Sequence, residues 1–114
     1  MPKLRGTDFA RYLRKVHVEW CPFKPKALGP IFFQELHAPP ILQAVPKMTI
    51  SKALLRTPAD DAAFVDRTHI TFADGETKTY DFSVITKMVD IMDEIHTENV
   101  RIQALERERG RPFS

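Results

Sequence analysis

The chain has only one cysteine, Cys21, among its 114 residues. A single thiol cannot form an intramolecular disulfide, which excludes the disulfide framework that stabilises many small secreted domains. It also excludes a dithiol redox centre, because Lys24 stands where a Cys-x-x-Cys pair would place its second cysteine. Such sparing use of cysteine is typical of proteins in a reducing compartment.

Glycine and long apolar runs are scarce as well. The four glycines are isolated from one another, so the sequence lacks the glycine-rich loop with which nucleotide-binding enzymes cradle phosphates. No apolar run approaches the roughly 20 residues that are needed to cross a bilayer. The four histidines stand far apart, without the spacing of a zinc site. We therefore expect no cofactor, no metal ion, no small-molecule substrate and no membrane contact.

Acidic residues are rare in the first half of the chain and abundant in the second. Residues 1–56 hold ten lysines and arginines and three acidic residues, whereas residues 57–114 hold seven and twelve. The net charge of +2 is therefore the sum of +7 in residues 1–56 and −5 in residues 57–114. A basic surface attracts nucleic acid because phosphate contacts release counterions. RNA or DNA is the partner that this asymmetry favours, unless folding mixes the two halves on one surface.

The first fifty-five residues predict a β-α-β unit. Val16, Val18 and Trp20 alternate with polar residues, which indicates a strand with one side in the core, and the proline at position 22 stops it. A helix follows, with the proline at 25 or 30 in its opening turn and the prolines at 39 and 40 at its end. A second strand, parallel to the first, is expected between residues 45 and 55. The apolar residues of the helix are Ile31, Phe32 and Leu36.

The second half predicts a hairpin and a long helix. Strands are expected at residues 64–72 and 76–82, joined by Asp74-Gly75, which is a strong hairpin signal. Asp81 or Ser83 is expected to cap the final helix. Its pattern extends to about Arg109, but apolar residues thin out, so we expect its far end to leave the domain. The residues that face the core at its start are Ile85, Met88, Met92 and Ile95.

The predicted order is β-α-β-β-β-α, which belongs to the α/β (α+β) class. It describes a four-stranded mixed sheet with helices packed on it, a thioredoxin-like arrangement, plus a C-terminal helical extension. The chain divides accordingly into a basic N-terminal arm, residues 1–14, a thioredoxin-like domain, residues 15–97, and a charged extension and tail, residues 98–114.

Cys21 stands at the end of a strand and before a helix, where thioredoxin-like enzymes keep their nucleophile. A lone nucleophile needs a base within hydrogen-bond reach. His17 lies four residues back, roughly 13 Å along an extended strand, which is too far for proton transfer. We therefore expect an inert thiol and a protein without catalytic residues, and a monothiol redox protein is the enzymatic alternative.

Basic residues bracket the first strand at both ends and form the stronger functional signal. Their natural use is sequence-independent contact with phosphates. A second basic set on the helix extension, partly cancelled by nearby glutamates, suits contact with either protein or RNA; its members are Arg101, Arg107, Arg109 and Arg111, and the glutamates are Glu98, Glu106 and Glu108. The alternative for both sets is ordinary solvated charge. The predicted RNA-binding residues are Lys3, Arg5, Arg11, Arg14, Lys15, Lys24 and Lys26.

The segment Lys15–Phe23 reads as a basic residue, alternating valines, an aromatic residue and Cys-Pro-Phe, and it resembles the mitochondrial large-subunit ribosomal protein family numbered fifty-three. The paired Phe32-Phe33, the hairpin Ile70–Gly75 and the final helix also fit. The resemblance covers about residues 11–97, and the extension from Glu98 departs from it. It implies a non-catalytic constituent of the large subunit of the mitochondrial ribosome, in the mitochondrial matrix, bound to ribosomal RNA and neighbouring ribosomal proteins.

Two further functions remain open. A thioredoxin-like shape also occurs in a small accessory subunit of respiratory complex I, which makes a protein-protein scaffold the alternative to RNA binding. A monothiol redox protein that uses Cys21 is the third. The basic, partly amphipathic start of the chain resembles an organellar targeting signal, although Asp8 departs from that composition.

Overall fold

The structure is a computed structural model that describes residues 8–20, 28–54 and 66–113. Four strands form one mixed sheet. Their sequences are rich in valine, isoleucine and threonine, which favour strands, and most of them alternate with the period of two that a strand requires. The strands are β1 (Leu13–Trp20), β2 (Thr49–Leu54), β3 (Arg67–Phe72) and β4 (Thr77–Asp81).

The helices lie between the strands and after them. A short 3-10 turn, Asp8–Ala10, precedes β1, and two helices connect β1 to β2. The prediction missed the second of these, because Pro39 and Pro40 begin a helix here as well as ending one; proline is well tolerated at the first helical positions. The helices are α1 (Leu28–Leu36), α2 (Pro39–Ala44) and α3 (Met88–Arg109).

The sheet has the order β2-β1-β3-β4. Strand β1 runs parallel to β2, with Val16 opposite Ile50, and antiparallel to β3, with Val16 opposite Ile70. Strands β3 and β4 form the hairpin expected at Asp74-Gly75. The structure thus confirms the predicted α+β class, the mixed four-stranded sheet and the C-terminal helix.

One face of the sheet is buried beneath α1 and α3. Val16, Val18 and Trp20 are all buried, as the alternation in β1 predicts. Helix α1 approaches β1 closely at Gly29, where an added Cβ would lie 3.1 Å from the Cβ of Trp20. The prediction for Ile31 was wrong, because α1 buries Leu28, Phe32 and Leu36 at four-residue steps and turns Ile31 outward.

Helix α3 begins later than predicted and packs on the fold as far as Ile102. Its N-cap is Lys87, without a side-chain cap, whereas the carboxylate of Asp81 accepts hydrogen bonds from the backbone N–H and hydroxyl of Ser83 in the preceding turn. Ile102 is fully buried, whereas residues 107–109 at the far end of the helix are exposed. Among the described residues, no helix combines the length and apolar character that a membrane span requires.

Candidate nucleic-acid interface

The far end of α3 packs against the 3-10 turn at the other end of the chain. The side-chain amide of Asn99 donates a hydrogen bond of 3.1 Å to the carbonyl of Phe9. The hydroxyl of Tyr12 donates one of 2.6 Å to Oε1 of Glu106. These contacts bring Arg11 beside the basic residues at the end of α3.

The two basic sets meet in a shallow groove of about 490 Å³. Arg11 comes from the set that brackets β1, and Arg107 and Arg111 come from the set on the helix extension. The groove is lined by Arg11, Tyr12, Gln103, Glu106, Arg107, Gly110, Arg111 and Pro112. Several arginines that line one concave surface are well suited to phosphate, because the planar donor fork of a guanidinium matches its oxygens.

Arg11 is exposed and lies over the ring of Tyr12, with its Cζ 5.2 Å from the ring centroid. The ring itself is buried, and its hydroxyl is fixed by Glu106. Burial and the hydrogen bond to Glu106 raise the pKa of Tyr12 above its ordinary value, so the hydroxyl keeps its proton and remains a donor. Tyr12 therefore provides a rigid support for Arg11.

Arg11 and Tyr12 form one wall of the groove, and the turn that ends α3 forms the other. Gly110 adopts φ 70°, the left-handed conformation that glycine favours at a helix C-terminus, and its N–H bonds to the carbonyl of Glu106. The chain then folds back, so that the N–H of Phe113 donates a hydrogen bond of 2.9 Å to Oε2 of Glu106. Arg109 stacks on the ring of Phe113 at 4.1 Å.

Comparisons with models of known protein families and with curated proteins find no match for this chain. The groove must therefore be interpreted from its own chemistry. It offers three arginines against one carboxylate, that of Glu106, which is already occupied by Tyr12 and Phe113. Such a surface favours a polyanion.

The other predicted RNA-binding residues have different positions. Lys15 is exposed on the face of the sheet opposite the core. Arg14 is half-buried, and its NH1 donates hydrogen bonds of 3.0 Å to the carbonyls of Arg11 and Leu13. Arg14 thus supports the irregular start of β1 more than it offers a free cation. Lys3, Arg5, Lys24 and Lys26 lie outside the described residues, as does Cys21.

Arg101 belongs to the second basic set in sequence but not in space. It lies 2.6 Å from Asp74, 2.8 Å from Glu98 and 3.2 Å from Glu76. Hydrogen bonds to Asp74 and Glu98 and the charges of these two carboxylates raise the pKa of its guanidinium, and this outweighs burial. Arg101 consequently ties α3 to the β3–β4 hairpin and does not line the groove.

A polar ladder crosses the exposed face of the sheet. His17 and His69 stack with ring centroids 6.1 Å apart, and their Nε2 atoms lie 3.5 and 3.4 Å from the carboxylate of Glu19. Their Nδ1 atoms bond to the hydroxyls of Ser51 and Thr79 at 2.7 and 2.8 Å. The arrangement repeats on both sides of one carboxylate, which is typical of cross-strand pairing. Within the described ranges, no group of three histidine, cysteine or acidic residues could hold a metal ion.

Sequence patterns could identify the groove only in part. The sequence shows the arginines as two basic sets. That the two sets lie close together in space depends on packing between residues at opposite ends of the chain. Glu106 was interpreted as a charge that cancels its neighbours, whereas it holds both walls of the groove. No local pattern reports that role, because both of its partners are set by the tertiary fold.

Proposed function

We propose that the protein is a non-catalytic constituent of the large subunit of the mitochondrial ribosome and binds ribosomal RNA through the groove. The single observation that carries this proposal is the convergence of Arg11 with Arg107 and Arg111 from opposite ends of the chain. The mitochondrial setting comes from the resemblance of Lys15–Phe23 and the hairpin to that ribosomal family.

The electrostatics of the groove support RNA as the partner. Arg11, Arg107 and Arg111 present positive charge, and none of the ion pairs within 4.0 Å in the part of the chain that the structure describes involves them. Each phosphate that such a residue contacts releases counterions, so binding gains affinity without reading a base sequence. This is the contact that a protein scaffold makes with folded RNA.

The exposed side of α3 supports a second partner, a neighbouring ribosomal protein. Asp90, Asp93 and Glu94 are exposed on the first half of the helix. Val89 and Val100 are exposed beside them, at 39% and 50% of their surface. An acidic surface with apolar side chains suits a basic protein, and ribosomal proteins are commonly basic because they bind RNA.

Co-sedimentation tests the proposal. The tagged protein should sediment with large ribosomal subunits in mitochondrial lysate, should be released by high salt, and should shift to light fractions after treatment with RNase. If the protein instead sediments with a membrane respiratory complex and RNase does not change this, the result would support the accessory-subunit alternative. A protein that stays in light fractions without RNase would contradict both scaffolds.

A further inference from the structure

Glu106 is the only acidic residue among the described residues that line the groove. Its side chain accepts hydrogen bonds from Tyr12 and from the N–H of Phe113, and both lower the pKa of its carboxyl group. Glu106 is therefore ionised at neutral pH. A negative charge beside a phosphate repels it, so Glu106 should weaken phosphate binding. Its presence in the groove therefore calls for a structural role that outweighs this repulsion.

The two oxygens of Glu106 hold two distant segments of chain. Oε1 accepts from the hydroxyl of Tyr12 at 2.6 Å, and Oε2 accepts from the N–H of Phe113 at 2.9 Å. Each of these residues has an arginine stacked on its ring, Arg11 on Tyr12 and Arg109 on Phe113. One carboxylate thereby fixes the segment that presents Arg11 and the turn that presents Arg111.

We propose that Glu106 is the positioning residue of the groove, which holds the two segments that carry Arg11 and Arg111 so that both arginines can reach a phosphodiester of the RNA backbone. The inference rests on the proposed function, since it assigns the ligand class and the organiser of the same groove. Ordering a long side chain on binding costs affinity, so arginines that are held in place before RNA arrives bind it more tightly.

The geometry favours backbone phosphates over bases. The ring of Tyr12 is buried, and Arg11 lies over it, so this ring cannot stack on a base. Proteins that read single-stranded RNA commonly stack its bases on open aromatic faces. Arginines without an open aromatic platform instead suit the phosphates of a duplex, where contact is independent of sequence.

Two substitutions separate the charge of Glu106 from its positioning role. In Glu106→Gln, the side-chain oxygen still accepts from Phe113 and the new amide can donate to the Tyr12 oxygen, so both segments stay fixed. In Glu106→Ala both hydrogen bonds are lost. The two variants remove the same charge and differ only in whether the walls of the groove are held.

The measurement is the affinity of the full chain for a short RNA duplex of arbitrary sequence, by fluorescence anisotropy over a series of salt concentrations. Glu106→Gln should bind about fivefold more tightly than the wild type, because a nearby negative charge is gone. Glu106→Ala should bind roughly tenfold more weakly than Glu106→Gln, because the arginines are no longer held. Its slope of log affinity against log salt should be shallower by about one, which corresponds to one lost phosphate contact.

Thermal unfolding checks that each variant is folded, and Tyr12→Phe provides a second test. This variant keeps the ring beneath Arg11 but loses the hydroxyl, and it should bind about threefold more weakly than the wild type. Equal affinities and slopes for folded Glu106→Ala and Glu106→Gln would overturn the positioning role while RNA binding stands. If Glu106→Ala does not fold, unchanged binding by Tyr12→Phe overturns it. A wild type that fails to bind the duplex rejects the groove as an RNA site altogether.

Discussion

Arg101 is a cationic residue whose charge is used within the fold, in ion pairs with three carboxylates. Its strongest partner is Asp74, whose side chain is only 8% exposed at the hairpin turn. Burial by itself raises the pKa of Asp74, but hydrogen bonds from Arg101 and from the N–H of Glu76 outweigh it and lower the pKa below the ordinary value of 3.8. Asp74 therefore stabilises the fold in its ionised form.

Replacing Asp74 with asparagine should reduce the free energy of unfolding by about 2 kcal/mol at pH 7, because a charged hydrogen bond is lost. A carboxyl group whose pKa is lowered by folding contributes stability above its unfolded pKa, and that contribution disappears as the pH falls through the folded pKa. The difference between wild type and Asp74→Asn should therefore shrink as the pH falls below the ordinary value of 3.8 and through the lowered pKa of the folded state. Urea unfolding at a series of pH values measures it.

The matched control is Asp93→Asn, since Asp93 is exposed on α3. This variant should differ from the wild type by less than about 0.5 kcal/mol at pH 7. A difference between wild type and Asp74→Asn that stays constant down to the lowest pH would show that the ionised carboxylate is not what stabilises the hairpin.

Helix α3 is the element that joins the two ends of the chain. Its buried residues continue past the first half of the helix to Asn99 and Ile102, and Asn99 bonds to the carbonyl of Phe9. The groove exists because this helix is long enough to reach the 3-10 turn. An α3 that ended near Ile95 would leave Arg11 without the arginines that face it.

Ile102→Ala tests the packing of this element. Ile102 is fully buried, so the substitution should lower the free energy of unfolding by about 3 kcal/mol through lost burial and a cavity. Val100→Ala, at a position that is half exposed two residues earlier, should cost less than about 1 kcal/mol. Denaturant unfolding of the two variants compares them, and similar small losses would mean that the far end of α3 is not part of the core.

At the scale of the whole molecule, local patterns predicted the order of elements and long-range packing determined the rest. Alternation in β1, the Asp-Gly turn and the apolar repeat of α3 each depend on neighbouring residues, which is why β-α-β-β-β-α could be predicted. The late start of α3 at Met88 could not, because Asp81 caps a separate turn. The meeting of Arg11 with Arg107 depends on the burial of Ile102, and no local pattern encodes that contact.

The charge asymmetry along the chain also has a different meaning once the molecule is folded. The excess of positive charge in the first half predicted a basic side, yet the groove combines Arg11 from that half with Arg107 and Arg111 from the acidic half. Apart from Glu106, which lines the groove, acidic residues of the second half lie beside Arg101 and on the exposed start of α3. Surface charge follows the fold rather than the sequence order.

Occupancy of the large ribosomal subunit by a groove variant tests the central claim most directly. The double reversal Arg11→Glu with Arg107→Glu should lower the amount of protein that sediments with large subunits by roughly tenfold or more, because repulsive charges replace two phosphate contacts. Lys47→Glu, an exposed reversal outside the groove, should sediment like the wild type. Undiminished occupancy by a folded double variant would contradict the account.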